Sequence, residues 1–388
     1  GTERRKAWHI LNCLESVGGD LNAYTNKEGT VYYSAILKEH IARAVDLLSD
    51  IVFHSVYPQA EIDKEVEVIC DEIESYNDSP AELIYDEFEN ILFKGSSLGH
   101  NILGTAEQVR SFTTEDALRF TRKLYRPDNA IFFAYGDIDF KKLVKLVGRA
   151  LADDDSGKLA EEDCHADFSG GTGFAGDENS ITTEKSVSSV KSVGPKNYPS
   201  VGEEIAGQTI VMQKNTHQAH VMIGTRAYDV NDDRRMPLYL LNNILGGPGM
   251  NAKLNLALRE HNGLVYTVES TMVAYGDTGT WSIYFGCDEH DIKRCLRLVR
   301  KELDRMMEKP LSDSQLKAAK KQIKGQIGVA CDNRENFALD FGKSFLHYGW
   351  EKNVDCLYEQ AEAITSQQIQ DVARELFDKD RLITLIFK

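Results

Sequence analysis

Glu65 and Glu72 stand seven residues apart in the stretch Glu65-Val66-Glu67-Val68-Ile69-Cys70-Asp71-Glu72-Ile73. At about 100° per residue, that spacing puts both carboxylates on nearly one face of a helix, two turns apart. Val66, Ile69 and Ile73 mark an adjoining apolar stripe, so the pair would stand at the edge of a cleft. Zinc hydrolysis is one chemistry such carboxylates serve. It needs about three protein ligands, an open position for water and a carboxylate base. Periodicity alone favours a plainer reading, a solvated acidic face, because Glu61, Glu67, Asp71 and Glu74 lie nearby. A second constellation is Arg259-Glu260-His261-Asn262-Gly263-Leu264-Val265-Tyr266, which joins a helix end to a strand. A guanidinium and a phenol this close could hydrogen-bond a carbonyl oxygen or an oxyanion. The plainer reading is a surface arginine and a half-buried strand tyrosine.

Other motifs are absent. The chain has no H-x-x-E-H, H-E-x-x-H, Gly-x-Ser-x-Gly, Walker loop or Rossmann fingerprint. His217 and His220 fall where a strand is expected, and an i,i+3 pair on a strand points to opposite faces. Gly246-Gly247-Pro248-Gly249 between two helices reads first as a turn.

These residues need elements to carry them. A helix is expected over residues 1–17, then a hairpin of strands 21–25 and 30–37 joined by Asn26-Lys27-Glu28-Gly29. Helices follow over 38–55 and 59–76, and Pro80 suits the first turn of the next. A helix over 113–124 leads to a strand over Ala130 to Tyr135, and a last helix runs to about Leu151. In the second part, order resumes at Gln208 to Met212, and strands are expected at 219–225, 265–275, 279–287 and 382–387, with helices near 233–245 and 250–260 and three or four more before the end. Residues 112–131 align without a gap on 364–383, an offset of 252, and Thr365 with Gln368 makes a capping box. A repeat this long means duplicated domains. The expected fold is α+β: two homologous domains, each a mostly antiparallel sheet backed by helices, over 1–152 and 207–388, with a polar linker over 153–206.

Composition agrees with a folded chain. Of 388 residues, 42% are hydrophobic and 27% charged, which excludes a disordered chain or a coiled-coil rod. The net charge of −16 argues against nucleic acid and anionic lipid as partners. Seven scattered cysteines with no C-x-x-C argue against a disulfide framework and fit a reducing, cytoplasmic setting. No stretch is long and apolar enough to span a membrane. The first residue is Gly1 rather than Met, so further chain upstream is expected.

Taken together, these residues resemble the pitrilysin/insulinase family of zinc peptidases (inverzincins), most closely its bacterial processing-peptidase-like members. The likeness is carried by Gly1-Thr2, Gly18-Gly19-Asp20-Leu21-Asn22-Ala23-Tyr24-Thr25, Thr30-Val31-Tyr32-Tyr33 and Glu65…Glu72-Ile73. Lys94-Gly95, Leu98-Gly99, Ile102-Leu103-Gly104-Thr105 and Tyr125-Arg126-Pro127 followed by Asn129 also fit, with Asp128 inserted. In the second half, Gly246-Gly247-x-Gly249-Met250 and Arg259…Gly263-Leu264-x-Tyr266 fit the family's C-terminal domain. The likeness spans the chain apart from the linker, which is longer and more polar than the family leads one to expect. Lys253 stands where the family more often has Arg, which weakens planar pairing.

The family's H-x-x-E-H motif normally stands just before a phrase ending in Lys-Gly-Thr, and here Gly1-Thr2 is that ending. The first strand or two of the N-terminal domain would lie with that motif. The resemblance therefore implies one zinc ion held by two upstream histidines and Glu72, with the upstream glutamate as general base and Glu65 as supporting carboxylate. It implies that Asn22, Ala23, Tyr24 and Thr25 form an edge strand that pairs with the substrate backbone. Arg259 and Tyr266 would reach the substrate carbonyl, and a chamber between the halves would select peptides or unfolded polypeptide. Without the motif, the chain by itself is expected to bind zinc weakly and to be catalytically silent. The alternative is a non-catalytic scaffold subunit. Pairing with a second copy or a related subunit stays open.

Overall fold

The computed structural model describes residues 1–152, 205–214, 216–349 and 353–388. The expected linker lies outside these residues except for 205–206. The chain forms two compact units. One holds Gly1–Tyr24, Val31–Pro58 and residues 114–152; the other holds Thr25–Thr30, Gln59–Thr113 and the described residues from 205 onward.

The second unit is built on a five-stranded sheet. Its strands are β3 (Thr209–Met212), β4 (Ala219–Ala227), β5 (Val265–Ala274), β6 (Gly279–Cys287) and β7 (Ile383–Phe387), in the order β3-β7-β4-β6-β5. β3 runs parallel to β7, and the other pairs are antiparallel. Side chains alternate across the sheet. Val221, Ile223, Trp281, Ile283 and Phe285 enter one core, while Met222, Tyr284, Leu385 and Phe387 enter another. Both faces are covered, which explains why β6 is buried along almost its whole length.

Helices α8 (Arg235–Gly246), α9 (Ile292–Glu308) and α13 (Ser366–Leu376) cover the first face with Leu238, Leu241, Leu245, Val299, Leu303, Ile369 and Val372. Gly246 lets α8 close onto β5, since a Cβ there would stand 2.5 Å from the Ser270 nitrogen. The second face is covered by α4 (Pro80–Leu92), which comes from the first half of the sequence. Pro80 opens it, and Leu83, Ile84, Phe88 and Leu92 make its apolar stripe. Each such side chain contributes about 1.5–3 kcal/mol on burial. Arg226 of β4 closes the end of α4 by donating to the Leu92 carbonyl at 3.2 and 3.1 Å. Tyr275 donates to Glu89 Oε1 at 2.9 Å, and Tyr85 donates to the Glu269 carboxylate. Burial pushes both phenols far above their ordinary range, so they remain neutral donors.

Around this core lie α3 (Gln59–Asn77), α5 (Ala106–Ser111), α10 (Asp313–Asp332), α11 (Arg334–Tyr348) and α12 (Val354–Ala363). Thus five α-helices, rather than three or four, stand between β6 and β7 among the described residues.

The first unit contains α1 (Ala7–Glu15), α2 (Ile41–Phe53), α6 (Thr114–Leu124), α7 (Phe140–Ala152) and the body of a hairpin, β1 (Asn22–Thr25) with β2 (Thr30–Tyr33). Leu14, Ala44 and Leu47 form a small core. Asp50 is fully buried and accepts from Thr2 Oγ1 at 2.8 Å, from Arg4 Nε at 3.3 Å and from Arg5. Burial pushes its carboxyl up, but the hydrogen bonds from Arg5 and Thr2 and the charges of Arg5 and Arg4 outweigh it, and the group titrates below its ordinary value. Gly1–Glu3 is stitched to residues 54–56 through a Thr2–Ser55 bridge and backbone bonds.

Helices α6 and α13 fall on residues that correspond at the 252 offset, and the Thr365–Gln368 capping box is formed. One expectation fails here. Among the described residues, no strand is formed at Ala130 to Tyr135. Its counterpart β7 is held between β3 and β4, and a strand depends on such neighbours as well as on its own apolar pattern.

Candidate active site

Glu65 and Glu72 lie on α3, and both are exposed. The helix forms because Ile62, Val66, Ile69, Cys70 and Ile73 make one stripe, which packs on Ala106 and Val109 of α5. That contact fixes the rotation of α3 and turns both carboxylates away from the core. Neither carboxylate makes a hydrogen bond or ion pair with a described residue.

Asn22, Ala23, Tyr24 and Thr25 are β1 itself, and all four are exposed. β1 has one sheet neighbour, β2, so its outer edge pairs with no described strand. The Tyr24 and Tyr33 rings meet edge to face at 6.3 Å, and the Thr25 and Thr30 hydroxyls lie 3.2 Å apart.

Arg259 and Tyr266 are brought together by two backbone irregularities. Residues Asn255–Glu260 form a π-helix where an α-helix over 250–260 was expected. Such wider turns are concentrated at functional sites. The Asn255 amide donates to the Met250 carbonyl at 2.7 Å, and the Asn262 amide donates to the Ala257 carbonyl at 2.8 Å, filling acceptors at the two ends. A register shift between Val265 and Val268 then makes a β-bulge that contains Tyr266. Bulges re-aim side chains, and Tyr266 is 83% exposed rather than half-buried. The Arg259 guanidinium stands 5.7 Å from the Tyr266 ring centroid, and its Nε is 3.7 Å from Glu260 Oε1. Neither irregularity has a periodicity signal. The asparagines at 255 and 262 are the one trace in the sequence.

Among the described residues, no hydrogen bond, ion pair or ring contact joins the α3 pair to the Arg259–Tyr266 pair. The histidines at 217 and 220 form no metal pair; His220 Nδ1 instead lies 2.9 Å from the Tyr284 hydroxyl, and burial lowers its basicity. Among the described residues, the one cluster of three potential ligand atoms is Asp288, His290 and Asp291, which excludes Glu72. A zinc site needs about three protein donors, so Glu72 with its described neighbours does not by itself fit zinc. No described helix is long and apolar enough to cross a membrane.

A sheet covered by helices on both faces, together with a smaller helical unit, defines a two-part α+β protein. The chain belongs to the insulinase family, peptidase family M16. The family model "Insulinase (Peptidase family M16)" matches residues 1–106, and "Peptidase M16 inactive domain" matches residues 111–323. Among curated relatives, "Uncharacterized zinc protease YmxG" of Bacillus subtilis is 28% identical over 389 residues, covering 100% of this chain and 85% of the relative. An "Uncharacterized zinc protease" of Streptomyces coelicolor is also 28% identical, covering 100% of this chain and 78% of the relative. A protease from Helicobacter pylori has the same fold, with a TM-score of 0.82 at 18% identity, covering 100% of this chain and 86% of that one. The M16 inactive domain from Pseudomonas fluorescens follows with a TM-score of 0.77 at 16% identity, covering 100% and 84%.

Proposed function

We propose that this chain acts in peptide-bond hydrolysis as a zinc metalloendopeptidase. The observation that carries the reading is the Arg259–Tyr266 pair. A π-helix and a β-bulge converge to present a guanidinium and a phenol 5.7 Å apart at the surface, a costly arrangement for two idle side chains. In this reading the outer edge of β1 takes the backbone of a peptide or unfolded polypeptide as an added strand. Arg259 and Tyr266 donate to the carbonyl oxygen as it gains charge, where preorganised donors act most strongly. Glu72 would hold the metal together with the two histidines of the H-x-x-E-H motif that the family resemblance implies, and Glu65 would orient its neighbours from one step further out. Zinc, when bound, supplies Lewis acidity and an activated water. The unpaired cysteines support a reducing, cytoplasmic location.

A second reading is a scaffold that shapes the substrate space of an active partner. It is favoured by Glu72 belonging to no group of three potential ligand residues among the described residues. The test uses the protein with the segment encoded upstream of Gly1. Stoichiometric zinc and chelator-sensitive cleavage of a quenched peptide support the peptidase. Absence of both, with the fold intact, selects the scaffold.

A further inference from the structure

The substrate-binding reading of β1 puts weight on a short hairpin. Two strands of four residues make it up, and an isolated two-stranded hairpin is marginal in water. Residues 22–24 and 31–33 belong to the first compact unit, yet the turn between them, Thr25–Thr30, belongs to the second. The turn is tightly formed. The Asn26 N–H donates to the Gly29 carbonyl at 2.9 Å, and Asn26 Oδ1 accepts from the Glu28 and Gly29 N–H groups at 2.9 and 2.8 Å. An Asn that closes its own turn in this way frees the next two side chains for other work.

Both are used. Glu28 Oε1 accepts from the Gly276 N–H at 3.0 Å, in the turn between β5 and β6. Glu28 Oε2 accepts from the Tyr348 hydroxyl at 3.4 Å, at the end of α11. Lys27 donates to the His100 carbonyl. Gly29 lies against the His347 ring, where a Cβ would stand 3.4 Å from Nε2. One carboxylate thus grips two separate elements.

We propose that Glu28 is a positioning residue for substrate: it pins the hairpin tip and so holds the outer edge of β1 ready for a peptide backbone. The proposal rests on the β1 reading above. Strand addition needs edge N–H and C=O groups already in place. If the hairpin is loose, its ordering falls on each binding event. Restoring order to one backbone residue weakens binding by about 5–30-fold.

The test compares Glu28→Ala, Glu28→Gln and Ala23→Pro in the full-length, zinc-loaded protein. Ala23 and Thr25 alternate with the residues whose N–H groups face β2, so Ala23→Pro removes an outward donor without touching the tip. Glu28→Ala is expected to speed hydrogen exchange across residues 22–33 without substrate. It should raise KM about 5–30-fold, with kcat within about twofold and the melting temperature little changed. Glu28→Gln keeps an acceptor for Gly276 and should restore much of the KM. A Glu28→Ala protein with parental exchange, or with parental KM while Ala23→Pro raises KM, overturns the proposal alone. If Ala23→Pro also leaves KM unchanged, β1 is not the peptide edge and both readings fall. A global loss of stability in Glu28→Ala moves the decision to Glu28→Gln, whose KM must then lie above the parent's for the proposal to stand.

Discussion

Replacing Tyr266 by Phe removes one oxygen and leaves the ring in place. The side chain is 83% exposed, so its hydroxyl supports no packing, and stability should change by no more than about 0.5 kcal/mol, as at other surface positions. The guanidinium of Arg259, 5.7 Å from the ring centroid, keeps its contact with a phenyl face. What disappears is a single O–H donor held at the mouth of β5. If that donor meets an oxyanion, its loss lowers kcat by roughly 10²–10³-fold, or about 2.7–4 kcal/mol. The ground-state carbonyl accepts more weakly, so KM moves less. Arg259 remains, which favours the lower end of the range. Zinc content should be unchanged, since no metal ligand is assigned to this part of the chain. The assay is steady-state cleavage of a short quenched peptide by the full-length protein, beside a thermal melt and a metal determination. A kcat within about twofold of the parent would show that Tyr266 is an ordinary surface residue, and the oxyanion role would fail with it.

Glu72→Gln should lose metal, because a carboxamide is a poor zinc ligand, while Glu65→Gln should keep metal and lose activity; equal zinc in the parent and Glu72→Gln, by atomic emission, would sink the ligand assignment. Asp50→Asn should cost about 1–3 kcal/mol near neutral pH, because it disturbs the buried acceptor of Thr2 and Arg5. The folded carboxyl titrates below its ordinary value, so its contribution is present above the unfolded pKa of about 4 and is lost as pH falls through the folded one. Urea midpoints of parent and variant should therefore differ most near neutrality and converge in acid. Phe88→Ala should remove about 3–5 kcal/mol from the second unit, because it empties the middle of the α4 contact; a urea midpoint shift near zero would deny α4 that role.

The sequence reveals local structure well wherever side-chain pattern and partner coincide. Leu382 to Phe387 has the same apolar character as Ala130 to Tyr135, yet among the described residues only the former carries a strand, held between β3 and β4. Strand formation belongs to a set of segments, and no reading of one segment contains that information. The start of α4 was legible at Pro80, but nothing local says that the helix covers a sheet made from the far end of the chain. The π-helix and the bulge around Arg259 and Tyr266 shift backbone hydrogen bonds by one residue, and residue-type periodicity is blind to that. Asn26-Lys27-Glu28-Gly29 was legible as a turn; the grip of its Lys and Glu was not. The spacing of Glu65 and Glu72 placed them on one helix face, and the family likeness, not the spacing, gave them different roles.

The position of α4 has a consequence for how this protein is made. On the ribosome, the helix emerges long before the strands it covers. The last of them, β7, follows about 300 residues later, a wait of about 15–60 s at usual synthesis rates. Meanwhile Leu83, Ile84, Phe88 and Leu92 have no sheet to rest on. Such late, long-range closure slows folding and leaves sticky surface available to chaperones or to other nascent chains. A fragment starting after residue 206 would have the opposite problem. Met222, Tyr284, Leu385 and Phe387 would face water as one bare sheet, so such a piece should aggregate unless residues 80–92 are returned to it, even as a separate peptide.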